Sequence, residues 1–294
     1  MLLQPGTARD LPHGRYLASA GGAATALRVA RGERRQLDLS APPSLAASVR
    51  WIPGGPIYAR DGRVQAQVAG FALQAREVTC GEWLDFLNDP GTRRTLLERA
   101  RTGEWVLVPR EGGAVTVPLW RQRGAIGRSA TGTFVLERPD GTPIDPREPV
   151  SGISGEDALA YAAWCSARDG LPWRLPTHDE WVLAVQGGDG RRFPWGDGAD
   201  PSFCYSAVGA ARIGARGLLP GGSFPADRSV QGVEDLAGSL CEFISDAAPE
   251  PSLIAVMGGS RGDRQAERFA CWSRRAAQRT LVDGNFGVRL AYTP

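Results

Sequence analysis

The sequence predicts an α+β protein, loop-rich with few helices, preceded by a small β unit. Three observations carry that reading. Glycine (38) and proline (22) among 294 residues leave little room for long helices. Two stretches place apolar side chains at helical spacing, within 79–89 and 154–170. The other apolar residues fall in short runs between turns, as short strands and ordered loops require. The length suits two units, and we expect a β-rich N-terminal unit with its linker over 1–48 and a main domain over 49–294.

In chain order, 14–39 alternates Tyr16, Leu17, Leu27, Val29, Leu37 and Leu39 with polar residues and glycines, which predicts three or four short strands. These strands form either a separate unit or an extra sheet of the main domain. The stretch APPSLAAS (41–48) reads as a linker, and WIPGGPIYARDG (51–62) as strand, Gly-Gly turn and strand. In TCGEWLDFLND (79–89), Trp83, Phe86 and Leu87 share one helical face. WVLVP (105–109) and TFVLE (133–137) are strand-like. In SGEDALAYAAWCSARDG (154–170), Ser154 caps a helix, Asp157 sits at the positive end of its dipole and Gly170 ends it; Ala158, Tyr161, Ala162 and Cys165 form its buried stripe. Beyond Trp173 the chain reads mostly as loop.

Thirty-four Lys and Arg against 32 Asp and Glu leave a formal charge of +2, which gives no electrostatic reason to expect nucleic acid or membrane as partner. No apolar run approaches the roughly 18 to 20 residues that span a bilayer. The opening MLLQPGTARD has no apolar signal core, so the expected compartment is the cytoplasm. Five cysteines without a C-x-x-C pair argue against a zinc site and a disulfide framework.

The segment PVSGISGEDALAYAAWCSARDGLPWRLPTHDEWVLAVQGGDGRRFPWGD (149–197) closely resembles the formylglycine-generating-enzyme/sulfatase-modifying-factor family. Similar blocks follow in order: GVEDLAGSLCEF (232–243), VMGGS (256–260) and NFGVRLA (285–291), with EVTCGEWLDFL (77–87) before them. The resemblance implies the C-type-lectin-like fold. A finer likeness is to the subgroup fused to bacterial Ser/Thr kinases, which implies a kinase signalling context. In this family Trp164, Trp181 and Trp195 read as apolar anchors, Arg174 with Glu180 as an ion pair, and Asp235, Glu242 and Arg289 as framework.

Formylglycine-generating oxidases hold copper between two cysteines after the Gly-Gly-Ser turn, thiolates suiting Cu(I) because both are soft. Here Asp263 stands at the first ligand position and the second falls in a shortened segment, while Cys271 matches a later, structural cysteine. The related sulfoxide synthases need iron held by three histidines, and this chain has only His13 and His178. The family's calcium segment retains Glu242 but carries Ser239 for its Asn, a weakened Ca²⁺ candidate. A thiol nucleophile at Cys241 or Cys271 would lack a neighbouring histidine base. The stretch after Gly259 gathers Arg261, Asp263, Arg264, Glu267, Arg268, Trp272, Arg274, Arg275 and Arg279, and Arg with Trp favours recognition of a protein or small anion. The expectation is therefore a non-catalytic binding or sensing module with this C-terminal segment as ligand face. Two alternatives stand beside it: a divergent formylglycine-generating-like oxidase, and a variable protein of a diversity-generating retroelement.

Overall fold

In the computed structural model, residues 11–32, 37–40, 45–94, 106–110, 113–117, 127–128, 133–137 and 142–294 are described. The N-terminal unit is a two-stranded antiparallel hairpin, Gly14–Ala20 with Ala23–Val29, turned at Gly21 and Gly22, both at positive φ. The predicted third strand has no counterpart among the described residues: 37–40 carry no regular structure, and 33–36 and 41–44 lie outside the described set. Two strands with mostly small side chains cannot build a core alone, and the hairpin leans on the rest of the chain. Ala23, Thr25, Ala26 and Leu27 are buried, Ala26 N donates to the Gly187 carbonyl at 2.7 Å, and Thr25 Oγ1 donates to the same carbonyl at 2.7 Å.

The main body combines helices with small sheets, the α+β mixture expected. Helix α1 (Cys80–Asn88) starts at Thr79, whose hydroxyl accepts from Glu82 N while the Glu82 carboxylate accepts from Thr79 N. Helix α2 (Gly155–Asp169) repeats this reciprocal cap with Ser154 and Asp157, and stops at Gly170 in the left-handed conformation. Trp83, Phe86 and Tyr161 from these two helices interlock, with ring centroids 5.0 to 5.5 Å apart. The predicted buried stripe of α2 is the observed one.

The region after Trp173 departs from the loop reading. Helix α3 (His178–Gln186) begins at the Thr177–Glu180 capping box and ends at Gly187. It is buried nearly all round, so its sequence lacks the polar face that marks a surface helix. Helix α4 (Ala207–Ile213) is capped by Ser206, whose oxygen accepts from Val208 N and Gly209 N. The Arg174–Glu180 pair forms as expected, two contacts of 2.7 Å steering the chain into α3.

Two sheets position the site. A four-stranded sheet runs in the order Arg274–Gln278, Leu253–Met257, Cys241–Phe243, Phe286–Gly287; its last pair is parallel and the others antiparallel. A three-stranded sheet joins Ala291–Tyr292, Phe71–Gln74 and Val49–Ile52, tying the C-terminal segment to the start of the domain. Trp181, Met257, Cys271 and Ile244 share one core between them.

Below this core lies a polar interior. Arg289, wholly buried, donates through Nε and Nη2 to the Glu242 carboxylate at 2.7 to 2.9 Å, and Trp181 Nε1 donates to Glu242 Oε2 at 3.0 Å. Glu77 accepts from Ser239 Oγ at 2.9 Å and Leu240 N at 3.0 Å; Asp227 accepts from Ala237 N and Gly238 N; Asp235 accepts from Gly222 N. Burial pushes the Glu77 carboxyl well above the usual range, that of Asp227 up to about 8 and that of Asp235 to about 6, with neighbouring carboxylates adding to the effect. No helix among the described residues is long and apolar enough to cross a membrane.

Candidate functional site

The Leu253–Met257 strand delivers the chain into the turn Gly258-Gly259-Ser260, where both glycines are demanded by packing. Gly258 has φ +76, and a Cβ there would stand 3.2 Å from the Trp181 ring. A Cβ on Gly259 would press into the ring of Phe269. Ser260 then donates to Asp263 Oδ2 through its N (2.9 Å) and its hydroxyl (3.0 Å), folding the next three residues into a tight loop. From the neighbouring strand Arg275 points inward: its Nη2 donates to the Gly258 carbonyl at 2.9 Å, lies 3.5 Å from Asp263 Oδ2, and touches Cys241 Sγ. Burial pushes the Cys241 thiol up to about 12, although Arg275 pulls it down.

Ser260, Asp263, Arg275 and Cys241 thus form one polar cluster. Two of its atoms stand out. Arg275 Nε is buried with no acceptor among the described residues, and every described contact of the Asp263 carboxylate falls on Oδ2, leaving Oδ1 to accept a further hydrogen. The missing signal for Cys241 in the sequence is plain: it lies in a strand 34 residues from Arg275, and only the sheet pairing brings them together.

The predicted ligand face divides. Asp263 and Arg275 turn into this cluster. Arg261, half-buried, donates to the Gly284 carbonyl at 3.2 Å. Arg264 and Arg268 are exposed, and Arg274, also exposed, donates to the Ala247 carbonyl. Arg279 lies just past the end of the Arg274–Gln278 strand, where its N donates to the Ser252 carbonyl and its carbonyl accepts from Glu156 N in α2. Glu267 and Trp272 line a separate cleft of about 450 Å³ with Arg15, Arg28, Arg60 and Arg192, residues the sequence reading did not single out.

The site does not fit the metals of the resemblance. Asp263, at the first copper position, offers a hard oxygen already engaged by Ser260 and Arg275, and a guanidinium beside Cys241 opposes a cation there. Cys271 is buried, receives Gln186 Nε2 at 3.3 Å, and has its thiol pushed up to about 12 by burial. His178 opens α3 with Nδ1 2.8 Å from Asp179, while His13 is exposed just before the hairpin. Ser239 and Glu242 do not form a shared calcium donor set: Ser239 Oγ is given to Glu77, and both oxygens of Glu242 are held by Arg289. Among the described residues no group of three or more His, Cys, Asp or Glu is placed to hold a metal ion.

Residues 38–294 match the sulfatase-modifying factor enzyme 1-like domain family. The chain is 28% identical over 269 residues to hercynine oxygenase of Mycolicibacterium smegmatis, covering 79% of this chain and 55% of that one. It is 29% identical over 217 residues to the formylglycine-generating enzyme of Bos taurus, covering 65% and 53% respectively. The chain therefore spans about half the length of these curated relatives. Among solved structures, PvdO from Pseudomonas aeruginosa aligns with a TM-score of 0.58 at 19% identity, over 84% of this chain and 94% of that one. Treponema denticola variable protein 1 aligns with a TM-score of 0.54 at 13% identity, over 95% and 99%. Both likenesses establish the C-type-lectin-like fold. The expectation of a non-catalytic binding module is corrected by the sequence relatives, which are an oxygenase and a formylglycine-generating enzyme. The absence of the copper cysteines removes one metal site and does not by itself exclude an enzyme. The chain belongs to the sulfatase-modifying factor enzyme 1-like family.

Proposed function

We propose that this chain is the C-type-lectin-fold domain of a divergent oxidase, acting at the Ser260–Asp263–Arg275–Cys241 cluster on a substrate that carries a thiol or amine hydrogen. The reading rests on the naming of its relatives as oxygenase and formylglycine-generating enzyme, together with one observation: the turn to which the resemblance assigns the reaction centre still holds an inward-facing carboxylate and an unpaired buried guanidinium N–H. Ser260 and Arg275 fix the orientation of Asp263 through Oδ2. Its Oδ1 accepts the thiol or amine proton, dioxygen is the oxidant that takes up the two electrons and leaves as hydrogen peroxide, and the Arg275 guanidinium stabilises the negative charge that deprotonation develops. The buried donor loses about 1 to 3 kcal/mol while unsatisfied, so a partner that satisfies it is held more tightly for that reason. Cys241, with its proton retained by burial, backs Arg275 and is not the nucleophile.

The test is oxygen uptake by the full chain with free cysteine and cysteine-containing peptides, with and without added Fe(II) or Cu(I), read on an oxygen electrode alongside thiol loss. Thiol-dependent uptake is expected, and Asp263→Ala should reduce it by about a hundredfold, the usual scale for removing a positioned proton acceptor. Uptake no greater than buffer under every metal condition would end the oxidase reading. Full activity in Asp263→Ala would move the chemistry elsewhere.

A further inference from the structure

The cleft beside the hairpin has no part in the cluster just described. Its walls come from four places in the chain. The hairpin gives Arg15 and Arg28, and the turn between strands Gly55–Tyr58 and Val64–Val68 gives Arg60, Asp61 and Gly62. The loop after α3 gives Gly190, Arg192 and Asp197, and the C-terminal segment gives Glu267 and Trp272. Arg15 and Arg28 precede the residues matched to the family, so the cleft is not simply a feature of the family domain.

Three independent observations specify what fits there. The first is charge. Arg15 is paired with Asp197 at 2.5 Å and Arg192 with Glu267 at 3.0 Å, while Asp61 is held at 2.5 Å by Arg63, which is not among the lining residues. Among the described residues Arg28 and Arg60 have no carboxylate partner, so two guanidinium charges face the cleft uncompensated. The second is register. Arg15 and Arg28 are direct cross-strand partners; Asp197 already answers the Arg15 charge, which leaves Arg28 as the member of the like-charged pair with no described carboxylate beside it. The third is the pattern of orphaned atoms. Arg192 Nε and Trp272 Nε1 are buried with no acceptor among the described residues, and both are donors. A ligand that satisfies them must bring acceptors.

Trp272 also explains how the guanidinium groups are presented. Arg60 lies 5.3 Å and Arg192 6.0 Å from its ring centre. A guanidinium over an indole face keeps its edge N–H groups for an oxyanion; Arg60 has no described carboxylate partner for them, whereas Arg192 already gives Nη2 to Glu267. A volume of about 450 Å³ exceeds what a bare phosphate fills and lies within the range of small-molecule pockets, roughly 300 to 1,000 Å³.

We propose that this cleft binds a small organic oxyanion, a carboxylate or a phosphate monoester, with Arg28 and Arg60 gripping its charged end beside Arg192 and Trp272, so that the N-terminal hairpin is part of a ligand site. The inference stands apart from the oxidase reading, because the assay below measures binding and not oxygen uptake.

The full chain is titrated at low salt with benzoate, phenyl phosphate and inorganic phosphate, read by calorimetry and by Trp fluorescence. Benzamide serves as the neutral counterpart of benzoate. Saturable binding of at least one organic anion is expected, with benzamide at least about tenfold weaker, a gap set by charge-assisted pairing. Preference for benzoate or for phenyl phosphate assigns the ligand class. Arg28→Glu and Arg60→Glu, both at exposed positions and with their fold checked by circular dichroism, should each weaken binding by about tenfold or more. Arg216→Glu, the same charge change at an exposed position outside the cleft, should stay within about twofold. No saturable binding of any of the three anions, equal binding of benzamide, binding of inorganic phosphate alone, or undiminished binding by both cleft variants would each overturn the proposal.

Discussion

Replacing Arg289 with Met tests whether the polar interior holds the domain together. Arg289 is fully buried, and its guanidinium makes three contacts of 2.7 to 2.9 Å with Glu242, one of 2.8 Å with the Glu234 carbonyl and one of 3.2 Å with the Gln74 carbonyl. Methionine fills much of the same volume, so the loss is mainly electrostatic. It leaves the Glu242 carboxylate 1% exposed with Trp181 Nε1 as its remaining described side-chain donor. Removing one partner of a buried ion pair costs about 3 to 5 kcal/mol, against a total of about 5 to 15 kcal/mol for a whole domain. The folded-to-unfolded ratio should therefore fall by about a thousandfold. Arg289 also opposes the protonation of Glu77 and Asp235, so the variant should lose more at pH 8 than at pH 6. Arg174→Met, which breaks a pair whose arginine is 36% exposed, should cost about 1 kcal/mol or less after solvent screening. The measurement is urea unfolding of both variants, followed by Trp fluorescence. An Arg289→Met midpoint shift worth under about 1 kcal/mol, with the slope unchanged, would show that the buried pair adds little net stability and refute the reasoning.

Two further outcomes follow from the same interior. Asp227 and Asp235 keep protons in the folded chain that the unfolded chain has released above its ordinary carboxylate range near 4. Their contribution is fully present below about pH 4 and is lost as pH rises through about 6 for Asp235 and about 8 for Asp227. The thermal midpoint should accordingly be lower at pH 8.5 than at pH 5, and Asp227→Asn should flatten that slope; a midpoint that rises with pH in the parent and is unchanged in the variant would count against it. Ser239 sits at φ +66, a left-handed conformation that costs an L-residue about 1 to 2 kcal/mol. Asn tolerates that conformation better and keeps a donor for Glu77, so Ser239→Asn should raise stability by about 1 kcal/mol in the same urea assay. A loss would show that the Ser239–Glu77 contact outweighs the strain.

What the sequence could announce was whatever a few neighbouring residues decide among themselves. The caps of α1 and α2 were legible because Thr79 with Glu82 and Ser154 with Asp157 satisfy each other three residues apart. The same signal stood at Thr177 and Glu180, yet α3 was read as loop because its apolar residues surround it instead of forming a stripe. The segment 259–286 was rightly marked as rich in Arg, but its division could not be seen from within it. Arg275 turns inward because the Arg274–Gln278 strand alternates faces beside Leu253–Met257 and thereby meets Cys241. Trp272 and Glu267 meet Arg60 and Arg192 only because distant loops converge, and Arg15 reaches Asp197 across 182 residues. The error about catalysis has the same origin. A missing cysteine is a local fact, whereas a carboxylate, a guanidinium and a thiol gathered around a Gly-Gly-Ser turn are a product of sheet register. A site assembled by register can lose its metal ligands to substitution and still keep an oriented acceptor and donor, so the residues that remain, more than those that changed, decide which chemistry is open to it.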